Sequence, residues 1–209
     1  MKHRLLVVAL GLVIILVGAA RPAEARLIDL HAGVRAGGVG GWGTTPNTPD
    51  FFDRRRGAGA GVDVGVKLLI FDLSANFTQL LDGGTLSQLL FGINIDLPVG
   101  NQVFREGIEK GHSRNLLRPL ATVGVAAGTP EKVSPPLNEA QISDKGLVTY
   151  VGLGYEHFLN EFLGIGAQAD FGYHYFVGGG ASMAAPSMHG FSAGYNFDGF
   201  ATLTFHLGY

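Results

Sequence analysis

Apolar and polar residues alternate along most of this chain. Over residues 28–36, Ile28, Leu30, Ala32, Val34 and Ala36 are apolar, while Asp29, His31, Gly33 and Arg35 sit between them. Successive side chains of a strand point to opposite faces, so a period of two predicts a strand with one apolar and one polar face. The pattern returns at 58–68, where Ala58, Ala60, Val62, Val64, Val66 and Leu68 alternate with Gly59, Gly61, Asp63, Gly65 and Lys67. Near Leu69 it flips phase without a gap, and Phe71, Leu73, Ala75 and Phe77 then alternate with Asp72, Ser74, Asn76 and Thr78. Such a flip predicts a tight hairpin.

Five more strands follow from the same rule. Leu89, Phe91, Ile93 and Ile95 stand opposite Gln88, Gly92, Asn94 and Asp96, with Leu90 out of phase. Ala121, Val123 and Val125 mark another, and Val151, Leu153 and Tyr155, with Glu156 on the polar face, the next. Leu163, Ile165, Ala167, Ala169, Phe171, Tyr173 and Tyr175 alternate with Gly164, Gly166, Gln168, Asp170, Gly172 and His174. The last runs in one phase from Phe191 to Ala201, Leu203, Phe205, Leu207 and Tyr209. The total is eight, an even number.

The connections differ in length. Residues 68–70 and 158–162 are short, whereas 38–56, 129–146 and 178–190 are long; 81–85, on the long-loop side, is short. Long loops on one rim and short turns on the other, with both termini on the turn side, is the asymmetry of an outer-membrane barrel. Residues 99–119 break the rule on the turn side, and an excursion with one helical turn is expected there.

The start of the chain adds a direction of travel. Lys2, His3 and Arg4 precede an apolar run from Leu5 to Val17, and Ala23 and Ala25 flank Glu24. This is the layout of a secretory signal peptide, residues 1–25, cleaved before Arg26, with one domain expected over 26–209. The leader takes Lys2, Arg4, Arg21 and Glu24 out of 15 Lys and Arg and 17 Asp and Glu, which leaves a net charge of −4. No polybasic tract points to nucleic acid. With no cysteine there is no disulfide framework and no thiolate metal site. A soluble barrel would show the same period of two, but a polar set rich in Gly and poor in Lys and Glu makes a poor solvent-facing surface.

The terminal row of Leu203, Phe205, Leu207 and Tyr209 looks like the signal read by the outer-membrane assembly machinery. The mature chain as a whole resembles the small eight-stranded outer-membrane barrels of the OmpA and OmpX class. The resemblance implies an all-β fold, an eight-stranded antiparallel up-and-down transmembrane β-barrel in the bacterial outer membrane. It also implies a monomer without cofactor, whose partners are membrane lipid, lipopolysaccharide and the assembly machinery. Phe171, Tyr173, Tyr175, Phe205 and Tyr209 fall near strand ends, where aromatic girdles belong.

In such a barrel the polar row faces inward. Asp29, Arg35, Asp63, Lys67, Asp72, Asp96, Glu156 and Asp170 form the expected lumen charge network, and charges buried there must pair or keep water. Arg35 and Lys67 are each expected to pair with a carboxylate in a plugged interior. His31, His174 and His206 share the inward parity, and hydrogen bonds to acids such as Asp29 and Asp170 are expected rather than a zinc site. The glycine-rich 57–65 lacks the Lys-Ser/Thr pair of a phosphate loop. His112 with Ser113, and His189 with Ser192, differ in parity within each pair and make poor catalytic partners. Arg54, Arg55 and Arg56 could meet lipopolysaccharide phosphates, or form a solvated cluster balanced by Asp50 and Asp53. The expected role is a non-enzymatic structural or surface-interaction barrel. A narrow passive channel is the alternative, ahead of a lipid A-modifying enzyme.

Overall fold

The structure is a computed structural model that describes residues 27–44, 52, 56–81, 83–107, 110–129, 144–179 and 190–208. The leader and Tyr209 therefore lie outside the described residues. The strands are β1 (Ile28–Gly43), β2 (Gly57–Leu68), β3 (Phe71–Leu80), β4 (Thr85–Asn94), the two-residue β5 (Leu97–Pro98), β6 (Asn115–Thr129), β7 (Asp144–Phe158), β8 (Leu163–Gly179) and β9 (Gly190–Gly208). Each long strand pairs antiparallel with its neighbour, β4 pairs with β6, and β1 pairs with both β2 and β9. The sheet closes into a barrel of eight long strands, and β5 extends one edge of β6. Closure leaves no unpaired strand edge in the wall.

The two faces are inverted relative to a water-soluble barrel. Leu203 is 42% exposed and Val151 60%, while Thr204 on the opposite face is 8% exposed. The same alternation runs around the ring, with Leu30, Val34, Val62, Val64, Phe91 and Val123 exposed. Apolar side chains thus coat the outside and polar ones fill the lumen.

Glycine sets how tightly the wall can curve. At Gly92 on β4 an added Cβ would run into the Ala121 carbonyl and Thr122 Cα of β6, and at Gly152 on β7 it would strike the Asp170 carboxylate. Gly92→Val is therefore expected to destabilise the barrel by about 1–3 kcal/mol, the usual cost of overpacking. Loss of the compact, heat-modifiable gel band at lower temperature than in the wild type is the readout.

The flip at Leu69 is the tight hairpin expected, a two-residue turn with Leu69 itself in the left-handed region at φ 57°. Several boundaries differ from the sequence reading. β6 starts at Asn115, so residues 115–119 belong to the wall and the excursion is shorter than expected. Its described residues make the bridges Val103–Ser113 and Phe104–Lys110 and no helical turn. Isolated bridges satisfy the backbone of so short a loop without the cost of nucleating a helix. Ile95 lies beyond the end of β4 and is buried, its N–H donated to the Pro119 carbonyl at 3.1 Å. The out-of-phase Leu90 points inward and packs against an internal apolar cluster. β1 continues to Gly43, through residues expected in the first long loop.

Candidate functional site: the barrel lumen

The lumen is layered. At the loop rim, Val39, Leu80, Leu86, Ala126, Val148, Phe176 and Phe200 form an apolar plug around Phe52, a loop residue that is fully buried. The Phe52 ring stacks on Phe176 at 5.9 Å and tilts against His174 at 4.8 Å. An aromatic ring from the connection between β1 and β2 is therefore packed among the inward side chains of the wall. Below it, Gln88 Nε2 donates to the Tyr150 hydroxyl at 2.5 Å, and both side chains hydrogen-bond Asp198.

The turn-side third is ionic. Lys67 Nζ lies 2.7 Å from Asp96, and Arg118 Nε donates to the other Asp96 oxygen at 2.8 Å. Arg118 also pairs through Nη1 with Glu156. His206 bridges two acids, with Nδ1 2.7 Å from Asp29 and Nε2 3.0 Å from Glu156. A neutral imidazole can donate to only one of them. Phe158 floors the cluster against His206 at 5.1 Å, and Phe104 of the excursion meets Phe158 edge-on at 6.2 Å.

Asp72 stands across the ladder from Lys67 beside this network, and Asp170 lies midway along β8. Asn94 Nδ2 donates to Asp72 at 2.9 Å, and Gln168 Nε2 donates to Asp170 at 2.7 Å. Asp63 lines a central cavity of about 120 Å³ together with His31, Asp72, Asn76 and Asp170. Arg35 departs from the expectation of a carboxylate partner. It donates to Thr78 Oγ1 at 2.5 Å and lies over the Phe200 ring at 4.4 Å. Its row on β1 faces Thr202 and Gly61, so no acid stands directly across from it.

The three inward histidines do not share one height. His31 and His206 are cross-strand neighbours 6.3 Å apart, whereas His174 is at the plug, with Nδ1 3.4 Å from Asn196 Oδ1. Asp170, one of the acids expected to bond the histidines, is four residues down the same strand from His174, which places the two in different layers. Ser113 Oγ donates to the Asn115 carbonyl at 2.9 Å. Ser192 is buried on the lumen face, and His189 lies outside the described residues. Arg56 is exposed just before β2, and Arg54 and Arg55 lie outside the described residues. Leu203, Phe205 and Leu207 are on the exposed outer row of β9.

Arg118 and Asp198 are among the lumen residues that escaped the sequence reading. Arg118 fell in a stretch read as loop, because Leu116, Leu117 and Pro119 blur the alternation around it. Asp198 was legible, since it lies between Phe197 and Gly199 with inward parity.

The chain is thus a small closed barrel of eight long antiparallel strands, apolar outside and ion-paired inside, the architecture of the small outer-membrane barrels. No protein-family model matches it. No curated protein matches it in sequence. Among solved structures, Neisserial surface protein A superposes with a TM-score of 0.50 at 8% identity, covering 87% of this chain and 98% of that one. The N-terminal β-barrel domain of Pseudomonas aeruginosa OprF gives 0.46 at 14% identity, over 88% of this chain and 100% of that one. The outer membrane protein OprG from the same organism gives 0.43 at 13% identity, over 89% and 99%. At such identity the likeness to the Neisserial protein is one of fold.

Proposed function

We propose that this protein is a non-enzymatic barrel of the bacterial outer membrane, with a lumen closed to bulk flow and a structural or surface-interaction role. The observation that carries the reading is the inverted wall: a continuous apolar outer face around a charged, ion-paired interior. Only a hydrocarbon surround makes that outer face favourable, and a closed ring is the strand architecture that survives there. The signal-peptide layout of residues 1–25 supports export. Its partners on this reading are membrane lipid, the assembly machinery acting on the β9 row, and lipopolysaccharide phosphates at Arg54–Arg56, with the barrel itself a monomer.

Closure is supported by the Phe52 plug at one end and by Phe158 under Phe104 at the other. The narrow-channel alternative is favoured by one feature, the central cavity of about 120 Å³. Purified protein in a planar bilayer separates the two. The closed reading expects no stable unitary steps from the wild type. Reproducible steps with cation preference, raised further by Lys67→Ala, would replace it with the channel.

A further inference from the structure

The outer row of β7 changes character at its turn-side end. Val151 and Leu153 on that row are apolar and 60% and 50% exposed, whereas the next two outward positions are Tyr155 and His157. Outward positions along a strand recur about every 7 Å, and tyrosine belongs at the membrane–water boundary, so the switch marks the headgroup level on this rim. There the wall carries an open recess of about 510 Å³, between residues 99–102 of the excursion and Asn115, Tyr155 and His157 of the strands. Asn115 stands directly across the β6–β7 ladder from His157.

Asn115 is the buried polar group of the recess, 9% exposed. The Tyr155 hydroxyl donates to its Oδ1 at 2.8 Å, and His157 Nδ1 donates to the same oxygen at 2.7 Å. Two donors on Oδ1 fix the orientation of the amide, and among the described residues no protein acceptor takes Nδ2. Gly100, at φ 75°, turns the chain beside that nitrogen, where an added Cβ would lie 3.8 Å away. The bond from His157 Nδ1 leaves Nε2 for a ligand, as a second donor in the imidazolium form. Asn101 and Gln102 are exposed at the same recess, and among the described residues no carboxylate lines it. Convergent N–H donors without an acid suit an anion with several acceptor oxygens.

We propose that this recess binds the phosphodiester of one glycerophospholipid of the periplasmic leaflet, whose acyl chains lie along the Val151 and Leu153 row. The site rests on the reading of the outer face as lipid-facing. A soluble anion would use the donors alone. A phospholipid uses the donors and the apolar wall that adjoins them.

Native mass spectrometry of the full, refolded barrel in detergent, titrated with dimyristoyl phosphatidylglycerol, tests it. The wild type should take up about one lipid per chain in a saturable manner. Dimyristoyl glycerol, which has the same chains and no phosphate, should bind at least about tenfold more weakly, the worth of a hydrogen bond to a charged group. Excess ammonium phosphate should leave the lipid in place. His157→Ala should weaken binding about tenfold, and Gln102→Ala should weaken it less, whereas Leu81→Ala at the loop rim should leave it unchanged. Asn115→Ala should have the largest effect, and if it fails to fold, His157→Ala and Gln102→Ala decide the matter. The compact gel band reports folding in each case, so a folded barrel without saturable lipid binding overturns the site and leaves the outer-membrane reading standing. Equal binding of dimyristoyl glycerol, displacement by phosphate, or unchanged affinity in both His157→Ala and Gln102→Ala would overturn it as well.

Discussion

Replacing Arg118 with Ala is expected to cost the folded barrel about 3–5 kcal/mol, the penalty for removing one partner from a buried charge network. The guanidinium joins Asp96 and Glu156 and lies over the Phe158 ring at 5.9 Å, so its loss strands two carboxylates in one step. Glu156 would keep His206, and Asp96 would keep Lys67, which sets the effect below that of two fully orphaned charges. Lys67→Met should cost less, because Asp96 retains Arg118. Urea titration of refolded protein in detergent, followed by the compact gel band, gives the comparison. Equal midpoints for Arg118→Ala and wild type would remove Arg118 from the centre of the network.

The second large effect lies on the outer face. Leu203 is exposed on β9, and an Arg placed on a lipid-facing position at mid-bilayer depth costs about 2–4 kcal/mol. Leu203→Arg is therefore expected to lower the yield of inserted barrel. Thr204→Arg, one residue on, enters the lumen cavity that Asp63 also lines, where water and carboxylates are at hand. It should be tolerated better, and membrane yields that do not differ between the two variants would refute the facing assignment.

Parity was the legible part of this protein. A strand residue's face is decided by odd or even position alone, so Asp29, Asp63, Asp72, Glu156 and Asp170 could be assigned to one surface before any fold was known. The hairpin at Leu69 was legible for the same reason, because a phase flip with no gap leaves room only for a tight turn. Where alternation is blurred the rule fails. Asn115–Pro119 read as loop, and with it Arg118, the cation that joins the turn-side network, was missed.

By itself the sequence determined an all-β chain of eight long strands with one apolar and one polar face, because a period of two is a local property of the backbone. Which charges meet was decided only by the tertiary structure. Lys67 reaches Asp96, Arg118 reaches Glu156, and His206 reaches Asp29 from the far end of the chain. Those encounters depend on the stagger between strands and on ring closure, and neither is written in the spacing of any one strand. Arg35 makes the same point: its inward face was readable, but its contacts with Thr78 and Phe200 follow from the neighbours the closed ring supplies. Phe52 is the extreme case, a residue between β1 and β2 outside any alternation that is buried against Phe176 and the apolar inner side chains only because the closed ring brings them together.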